Sequence, residues 1–194
     1  MIKPVYLTTN QHKISEANRF FNDHYGFDIE IMNPDFEVIE TQGINSKDIV
    51  SYSVKYAAEK MGRPVLKSDT SLYLEGLGGL PGPYNSYFDK QIGAEKFIKM
   101  FSVEKNRKAR LEHCFGYCEP GSEPIIFSGG STGSIAYHLA GNEGRWHDFF
   151  YIPDGETKTL SQLREEDPMY EAQFYGDAIK QFANWYSKNK LSSN

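Results

Sequence analysis

The chain has 194 residues, of which 39% are hydrophobic and 14% aromatic, and its formal net charge is −5. This length suits one domain with a sizeable core, and no apolar run approaches the roughly 20 residues that a membrane helix needs. The acidic balance gives no general attraction to a nucleic-acid backbone, so we expect neither a nucleic acid nor a membrane as partner. The first residues lack the apolar stretch of a signal peptide, which favours the cytoplasm.

The beginning of the chain predicts a strand, a helix and a second strand. Val5-Tyr6-Leu7 is a short apolar strand, and the polar turn Thr8-Thr9-Asn10 follows it. The next residues carry apolar side chains at the spacing of one helical face, and Gly26 ends that helix as a cap. Residues 27–31 alternate between apolar and polar, which is typical of a strand.

A second helix and two short strands are predicted next. The helix begins with Ser46 as its N-cap and ends at Gly62. Two apolar runs, 65–66 and 72–74, are typical of buried strands, and polar residues separate them. We therefore expect Asp69, in the polar interval, to lie where a strand ends.

The later elements predict the fold class. Residues 76–84 contain four glycines and two prolines, which excludes regular structure there. The remaining predicted elements are a helix over 94–101, strands over 109–119 and 123–137, a short helix opened by a capping box at 159–162, and a last helix opened by Asp167 and Pro168. Helices and strands alternate early, and strands follow one another later. This order predicts an α/β fold with a mixed sheet and two lobes.

Two features of the later strands carry local expectations. Cys114 and Cys118 are too few for a disulfide scaffold, and buried thiols are favoured over a metal site. Gly129, Gly130 and Gly133 lie within one predicted strand, which indicates a bend or a close backbone approach.

The turn between the first strand and the first helix is the first candidate site. Free N–H groups at such a turn favour an anion. Thr8 and Asn10 add short polar side chains, and Lys13 adds a mobile cation suited to phosphate. The alternative is an ordinary capped helix with a solvated lysine.

Two carboxylates are candidates for a metal site. Asp69 precedes an apolar run and the glycine-rich loop, where a carboxylate can bind Mg²⁺ or orient water. Glu40 follows the stretch 36–39. The alternatives are a turn aspartate that caps its own backbone and an exposed strand-end glutamate. The glycine-rich loop is not a Walker A loop, because no Gly-Lys-Ser/Thr follows it.

Four segments follow one another in an order that is more specific than any one of them alone. They are Thr-Thr-Asn-x-x-Lys-x-x-Glu from residue 8, Ile-Glu-Thr-Gln-Gly at 39–43, Pro-Val-Leu-Lys-Ser-Asp-Thr at 64–70 and Leu-Gly-Gly-Leu-Pro-Gly-Pro-Tyr at 77–84. The series resembles the inosine triphosphate pyrophosphatase family, also called the noncanonical purine NTP pyrophosphatases. The resemblance runs from residue 5 to about residue 165 and is strongest at 64–84.

The resemblance implies an elongated mixed α/β sheet with flanking helices and two lobes around a nucleotide cleft. It implies one nucleoside triphosphate pyrophosphatase-like domain over 1–194, usually assembled as a homodimer. The implied reaction cleaves a purine nucleoside triphosphate such as ITP, dITP or XTP between the α- and β-phosphates, giving the monophosphate and pyrophosphate.

The resemblance also implies roles for individual residues. Thr8, Asn10 and Lys13 would hold the phosphate chain, with Lys13 stabilising the leaving pyrophosphate. Glu40 and Asp69 would hold Mg²⁺, and Asp69 would also activate the attacking water. Lys55 stands where the family often has another phosphate-binding lysine; the alternative is a solvated helix lysine.

The sequence departs from the family at three places. Ser68 replaces an acidic residue that commonly precedes the catalytic strand segment. The stretch 145–149 replaces an aromatic-Gly-aromatic-Asp-Pro motif that stacks on the base, so we expect Trp146 and His147 to supply stacking beside the retained Asp148. Residues 173–175 replace a Ser-His-Arg triplet that reads the 6-oxo group.

These departures leave three interpretations open: an enzyme for another base, an enzyme of relaxed specificity, or a catalytically silent nucleotide-binding protein. Loss of directed hydrogen bonds costs discrimination between bases more than it costs phosphate chemistry. The phosphate and metal candidates are largely retained. A hydrolase that uses Mg²⁺ is therefore the favoured interpretation.

Overall fold

The computed structural model describes residues 3–36, 43, 45–168, 170 and 176–191. The chain forms two compact units. The first unit comprises Met1–Asp69, Cys114–Ser128 and Gly176–Asn194, and the second comprises Thr70–His113 and Gly129–Tyr175. Within the described part, no helix is both long and apolar enough to cross a membrane.

Helices and strands alternate along the first half of the chain. In chain order the elements are β1 (Val5–Leu7), α1 (Gln11–Ala17), β2 (Glu30–Met32), α2 (Ser46–Met61), β3 (Val65–Leu74), β4 (Pro81–Gly82), α3 (Asn85–Gln91), α4 (Gly93–Phe101), β5 (Lys108–Cys118), β6 (Ile125–Ile135), β7 (Tyr151–Pro153), α5 (Leu160–Glu166) and α6 (Gly176–Tyr186). Wider π-helical turns continue α1 over Asn18–His24 and α6 over Ser187–Leu191, and 3-10 turns lie at Glu75–Leu77 and Trp146–Phe149.

The strands form one sheet in the order β2-β1-β3-β5-β6-β7, and β4 also pairs with β3. β1 is parallel to both β2 and β3, with Val5 opposite Glu30 on one side and opposite Val65 on the other. β4 and β7 run antiparallel to their neighbours β3 and β6. The predicted α/β fold with a mixed sheet is confirmed.

The core of the first unit lies between α2 and the parallel strands. Val54, Ala57 and Ala58 lie on one face of α2 and pack against Val5 and Val65, all without exposed surface. This spacing is the helical periodicity that predicted the element. The cap prediction at Ser46 was one residue late, because Asn45 is the N-cap and its side chain accepts the N–H of Lys47 at 2.9 Å.

The core of the second unit is aromatic. Phe97 on α4 contacts the rings of Phe101, Trp146 and Phe150, with centroid separations of 5.4, 5.2 and 4.8 Å. Aromatic pairs at these separations stabilise a core beyond the area they bury. These contacts join α4 to the 3-10 turn that begins at Trp146.

The prediction of two short strands separated by polar residues was wrong. Residues 65–74 form one ten-residue strand, and Asp69 lies within it rather than at its end. The polar side chains are compatible with a buried strand because they have partners: the hydroxyl of Ser68 bonds that of Tyr6, and the hydroxyl of Thr70 accepts from Arg145. A strand tolerates buried hydroxyls when their hydrogen bonds are satisfied.

Other expectations had mixed outcomes. The two long middle strands and the capping box at Thr159 are confirmed, and Cys114 and Cys118 are buried free thiols. The expectation that residues 76–84 contain no regular structure was wrong for Pro81–Gly82, which form β4, and helix α3 after the loop was not predicted. The expected start of the last helix involves residues 169 and 171–175, which lie outside the described residues.

Candidate functional site

The turn between β1 and α1 is organised by its own polar side chains. The Asn10 side-chain oxygen accepts the N–H groups of His12 and Lys13 at 2.9 and 3.3 Å. The Thr8 hydroxyl accepts the N–H of Asn10 at 3.1 Å. The ordinary capped helix considered for this segment is therefore present. The phosphate-binding roles of Thr8 and Asn10 stay predictions.

The register of the sheet places this turn beside Asp69. Because Tyr6 pairs with Leu66 and β1 ends at Leu7, Ser68 and Asp69 extend past the end of β1. Ligand sites in sheets with parallel strands lie at this carboxyl end. The sequence order alone did not reveal this proximity.

Lys13 bridges the turn and β3. Its ammonium donates to the backbone carbonyl of Ser68 at 2.6 Å. On the other side of that residue, the Ser68 hydroxyl lies 2.5 Å from the hydroxyl of Tyr6. The structure therefore brings two predicted residues together, because Lys13 bonds Ser68 and Asp69 is the next residue in the chain. At position 68, where the sequence departs from the family, the serine hydroxyl is directed towards Tyr6.

Asp69 differs from its neighbours in exposure. Ser68, Thr70 and Ser71 are buried, whereas Asp69 is partly exposed. Successive side chains of a strand point to opposite faces, so Asp69 lies on the face opposite to Ser68 and Thr70. A partly exposed carboxylate can bind a hard cation or accept a proton from water.

The carboxylate oxygens of Asp69 are a suitable type of ligand for Mg²⁺. Mg²⁺ prefers oxygen ligands and is usually bound through one or two carboxylates together with substrate phosphates. The second predicted ligand, Glu40, lies outside the described residues. Among residues that the structure does describe, no group of three or more His, Cys, Asp or Glu side chains is close enough to hold a metal.

Lys55 lies on α2 with its ammonium 2.5 Å from Glu123. The hydrogen bond that Lys55 donates to the Glu123 carboxylate raises the pKa of Lys55, so the side chain stays charged at neutral pH. Exposed ion pairs are weak and exchange readily for another anion. The structure gives Lys55 a carboxylate partner, and its phosphate-binding role stays a prediction.

A groove of about 440 Å³ lies next to the β1–α1 turn in the first unit. Its polar end includes Thr8 and Thr9, and its apolar wall includes Ile14, Ile31 and Met32. Ligand sites commonly combine a mostly apolar wall with a few polar groups in this range of volume. The groove lies on the β2 side of β1, whereas Lys13 reaches Ser68 on the β3 side.

The residues predicted to read the base lie in the second unit and are buried there. Trp146 is 6% exposed, and His147 and Asp148 have no exposed surface. The Trp146 indole N–H donates to the side-chain oxygen of Asn85 at 2.8 Å, and its ring packs on Phe97. In this structure Trp146 is a core residue, and its stacking on a base stays a prediction.

Hydrogen-bond chemistry determines which ring nitrogen of His147 carries a proton. An indole N–H can only donate, so the Asn85 oxygen must accept from Trp146 and the Asn85 amide group must donate. That amide nitrogen lies 3.2 Å from Nδ1 of His147, which must then accept. The imidazole proton is therefore on Nε2, which lies 3.3 Å from the Asp148 carboxylate.

Asp148 is the anion at the centre of this buried network. Its Oδ2 lies 2.8 Å from Arg164 Nη1 and accepts the backbone N–H of Arg145 at 2.6 Å. Burial raises the pKa of Asp148, but interactions with His147, with the positive charges of Arg164 and Arg145, and with the Arg145 N–H lower it by more. The pKa therefore lies below its ordinary value of 3.8, and Asp148 is ionised at neutral pH.

Sequence reasoning missed four residues of these networks. The sequence pattern indicates Tyr6 only as an apolar strand residue, and it predicts no contact for Asn85, Thr70 or Arg145. One signal was available: an arginine beside an aromatic segment needs an acceptor if the fold buries it. The partners themselves are 62 to 75 residues away in the chain, so no local pattern identifies them.

Together the fold and the site define a mixed α/β protein that presents a lysine and a carboxylate past the carboxyl end of a parallel strand. The chain belongs to the Ham1 family, whose model matches residues 5–185.

Relatives and solved structures agree with that family. The chain is 35% identical to the dITP/XTP pyrophosphatase of Methanopyrus kandleri over 97% of this chain and 98% of that protein. It is 29% identical to the inosine triphosphate pyrophosphatase of Puccinia graminis, over 85% and 87% of the two chains. The Staphylococcus aureus Ham1 protein has a TM-score of 0.76 at 24% identity, covering 97% of this chain and all of that one. A HAM1 protein from Coxiella burnetii has a TM-score of 0.80 at 21% identity over the same shares.

Proposed function

We propose that this chain is a nucleoside triphosphate pyrophosphatase that hydrolyses a noncanonical purine nucleoside triphosphate such as ITP, dITP or XTP. The products are the monophosphate and pyrophosphate. The observation that carries the proposal is similarity over nearly the whole chain to relatives named dITP/XTP pyrophosphatase. The Lys13 ammonium on Ser68, next to Asp69, supports it with suitable chemistry.

The chain's own residues supply the reaction in the following way. Asp69 accepts a proton from water, and the water oxygen forms a bond to phosphorus as the bond to the bridging oxygen breaks. Lys13 exchanges the Ser68 carbonyl for the phosphate chain and stabilises the charge on the departing pyrophosphate. Thr8 and Asn10 orient the same phosphates. Bound Mg²⁺, held by Asp69 and Glu40, would neutralise phosphate charge.

The exchange at Lys13 is chemically reasonable. A backbone carbonyl is a neutral acceptor, whereas a triphosphate oxygen is charged. Attraction between the two opposite charges adds to the hydrogen bond when the acceptor is a phosphate oxygen, so the ammonium favours the phosphate. The Ser68 carbonyl thus keeps the lysine charge near Asp69 before the nucleotide arrives.

Three further features belong to the same proposal. Residues 1–194 act as one catalytic domain, two copies form a homodimer, and the enzyme works in the cytoplasm, where its nucleotides are. Lys55 contributes a second phosphate contact by leaving Glu123. Trp146, His147 and Asp148 contribute to recognition of the base.

The test is pyrophosphate release from a panel of standard and noncanonical nucleoside triphosphates, with and without Mg²⁺. We expect Mg²⁺-dependent release that is fastest with a 6-oxo purine other than guanine. Asp69→Asn should lower the rate by a factor on the order of 10² to 10⁴ because the proton acceptor is lost.

Asp28→Asn is the matched control, since Asp28 forms an exposed ion pair with Lys3 at 2.5 Å and should leave release unchanged. Release by Asp69→Asn at the wild-type rate would remove Asp69 from the mechanism. Nucleotide-dependent thermal stabilisation of the wild type without any release would instead favour a catalytically silent binding protein.

A further inference from the structure

Thr70, the residue after Asp69, receives two hydrogen bonds from buried side chains of the second unit. Arg145 Nη1 donates to the Thr70 hydroxyl at 3.3 Å, and the Asn85 amide donates to the Thr70 carbonyl at 3.4 Å. Arg145, Asn85 and Thr70 are each less than 10% exposed. One residue of β3 is therefore held both at its side chain and at its backbone.

Both donors are themselves held in place. The Asn85 oxygen accepts the Trp146 indole N–H at 2.8 Å, which fixes the orientation of the amide. The Arg145 backbone N–H donates to Asp148, whose carboxylate also pairs with Arg164. The Asn85 amide cannot turn away from Thr70 without breaking its contact with Trp146, and the backbone bond to Asp148 fixes the position from which the buried Arg145 side chain extends. Buried polar groups that lose partners cost free energy, so this arrangement is rigid.

Ser68, the residue before Asp69, is anchored through its side chain within the first unit. Its hydroxyl lies 2.5 Å from that of Tyr6, a contact that stays when Lys13 leaves the Ser68 carbonyl for the phosphate chain. Ser68 and Thr70 lie on one face of β3, so fixing both prevents rotation of the strand about its axis. The direction of the Asp69 side chain, on the opposite face, is then determined.

We propose that Arg145 and Asn85 are positioning residues that act through Thr70 to hold the Asp69 carboxylate in its reactive orientation. This inference rests on the proposed function, in which Asp69 accepts the proton. It assigns Arg145 to the alignment of the catalytic strand rather than to contact with the base. Misplacement of a reacting group by a fraction of an ångström lowers the rate of the chemical step without weakening substrate binding.

The test compares three single variants, Thr70→Val, Thr70→Ser and Arg145→Lys, and the double variant that joins Arg145→Lys to Thr70→Val. Valine has the shape of threonine but cannot accept from Arg145, whereas serine keeps the hydroxyl. Lysine keeps the charge of Arg145 but loses the planar fork. We expect Thr70→Val and Arg145→Lys each to lower kcat on the order of tenfold with KM within about twofold. Thr70→Ser should keep the wild-type kcat, and the double variant Arg145→Lys with Thr70→Val should be no slower than either single variant.

Amide hydrogen exchange at Ser68 and Asp69 gives a readout that does not need activity. Thr70→Val and Arg145→Lys should accelerate exchange there, and Thr70→Ser should not. Wild-type exchange in Thr70→Val, with the protein folded, overturns the proposal. A rise in KM with unchanged kcat, or multiplicative losses in the double variant, also overturns it, because each indicates direct substrate contact or independent roles. An inactive wild type with the expected exchange pattern would refute the proposed function and leave the alignment of β3 intact.

Discussion

Asp148 illustrates how a buried charge is kept ionised at the scale of a single residue. The carboxylate has no exposed surface, and its charge is opposed by two guanidinium groups. A buried ion pair adds little to the free energy of unfolding compared with apolar side chains in its place. Removal of only one of its charges is strongly destabilising, because the other charge stays buried without a partner. The residue is therefore sensitive to changes that keep its shape and remove its charge.

Asp148→Asn should lower the free energy of unfolding at neutral pH by about 3 kcal/mol, because Arg145 and Arg164 lose a counter-charge. The folded-state pKa of Asp148 is lowered, so its contribution is complete above the ordinary value of 3.8 and is lost as pH falls through the folded-state pKa. The gap between wild type and variant should narrow at about pH 3.

Denaturant unfolding of both proteins at neutral pH and at about pH 3 measures this gap. Asp28→Asn is again a suitable control, because its carboxylate is exposed and screened by water. A gap that stays constant between the two pH values would mean that Asp148 is not ionised in the folded protein.

At the scale of elements, β6 depends on glycine because neighbouring backbones approach it. A Cβ on Gly130 would lie 2.0 Å from the carbonyl oxygen of Leu111 on β5, and one on Gly133 would lie 2.3 Å from that of Ile152 on β7. The close backbone approach predicted from the glycines of this strand is confirmed at both positions. Backbone atoms cannot move aside as a flexible side chain can.

Gly130→Ala should lower the free energy of unfolding by about 3 kcal/mol, through steric overlap with the ladder. Gly155→Ala is the comparison, since Gly155 has a φ of +87° and open space around its Cα. Its cost should be only about 1 kcal/mol, from the left-handed backbone alone. Thermal and denaturant unfolding separate the two, and an equal loss in both variants would exclude the steric explanation.

At the scale of the whole molecule, the proposed homodimer is based on an exposed apolar surface. The second unit exposes several large apolar side chains in and after the glycine-rich loop, including Leu80 at 52% and Tyr87 at 63%. Scattered exposed apolar residues are normal, but several within one short segment are typical of an interaction site. This segment is the surface on which we base the proposed homodimer.

Sedimentation equilibrium of the wild type should give twice the mass of one chain. Leu80→Lys and Tyr87→Lys should shift the protein towards the monomer, because each places a charge in a contact that excludes water. Val103→Lys is the control, since Val103 is 86% exposed at the end of α4 and outside the segment. A wild-type monomer at all concentrations contradicts the homodimer, and unchanged mass in both loop variants moves the interface elsewhere.

The sequence by itself determined those features whose causes lie within a few residues of one another. Helix faces, the caps at Gly62 and Thr159, the two middle strands and the series of family motifs were all predictable in this way. Each depends on local periodicity, on hydrogen bonds to nearby backbone groups or on direct comparison of short segments.

Only the tertiary structure decided how the polar residues of β3 are satisfied. Ser68 and Thr70 suggested a turn because their partners, Tyr6 and Arg145, are 62 and 75 residues away. The proton position on His147 could not be predicted for the same reason. It follows from the contacts of Asn85 with Trp146 and His147, which are distant from Asn85 in the sequence. A buried polar group in a strand is stable only with a partner, and a partner brought in by the fold leaves no periodic signal in the sequence.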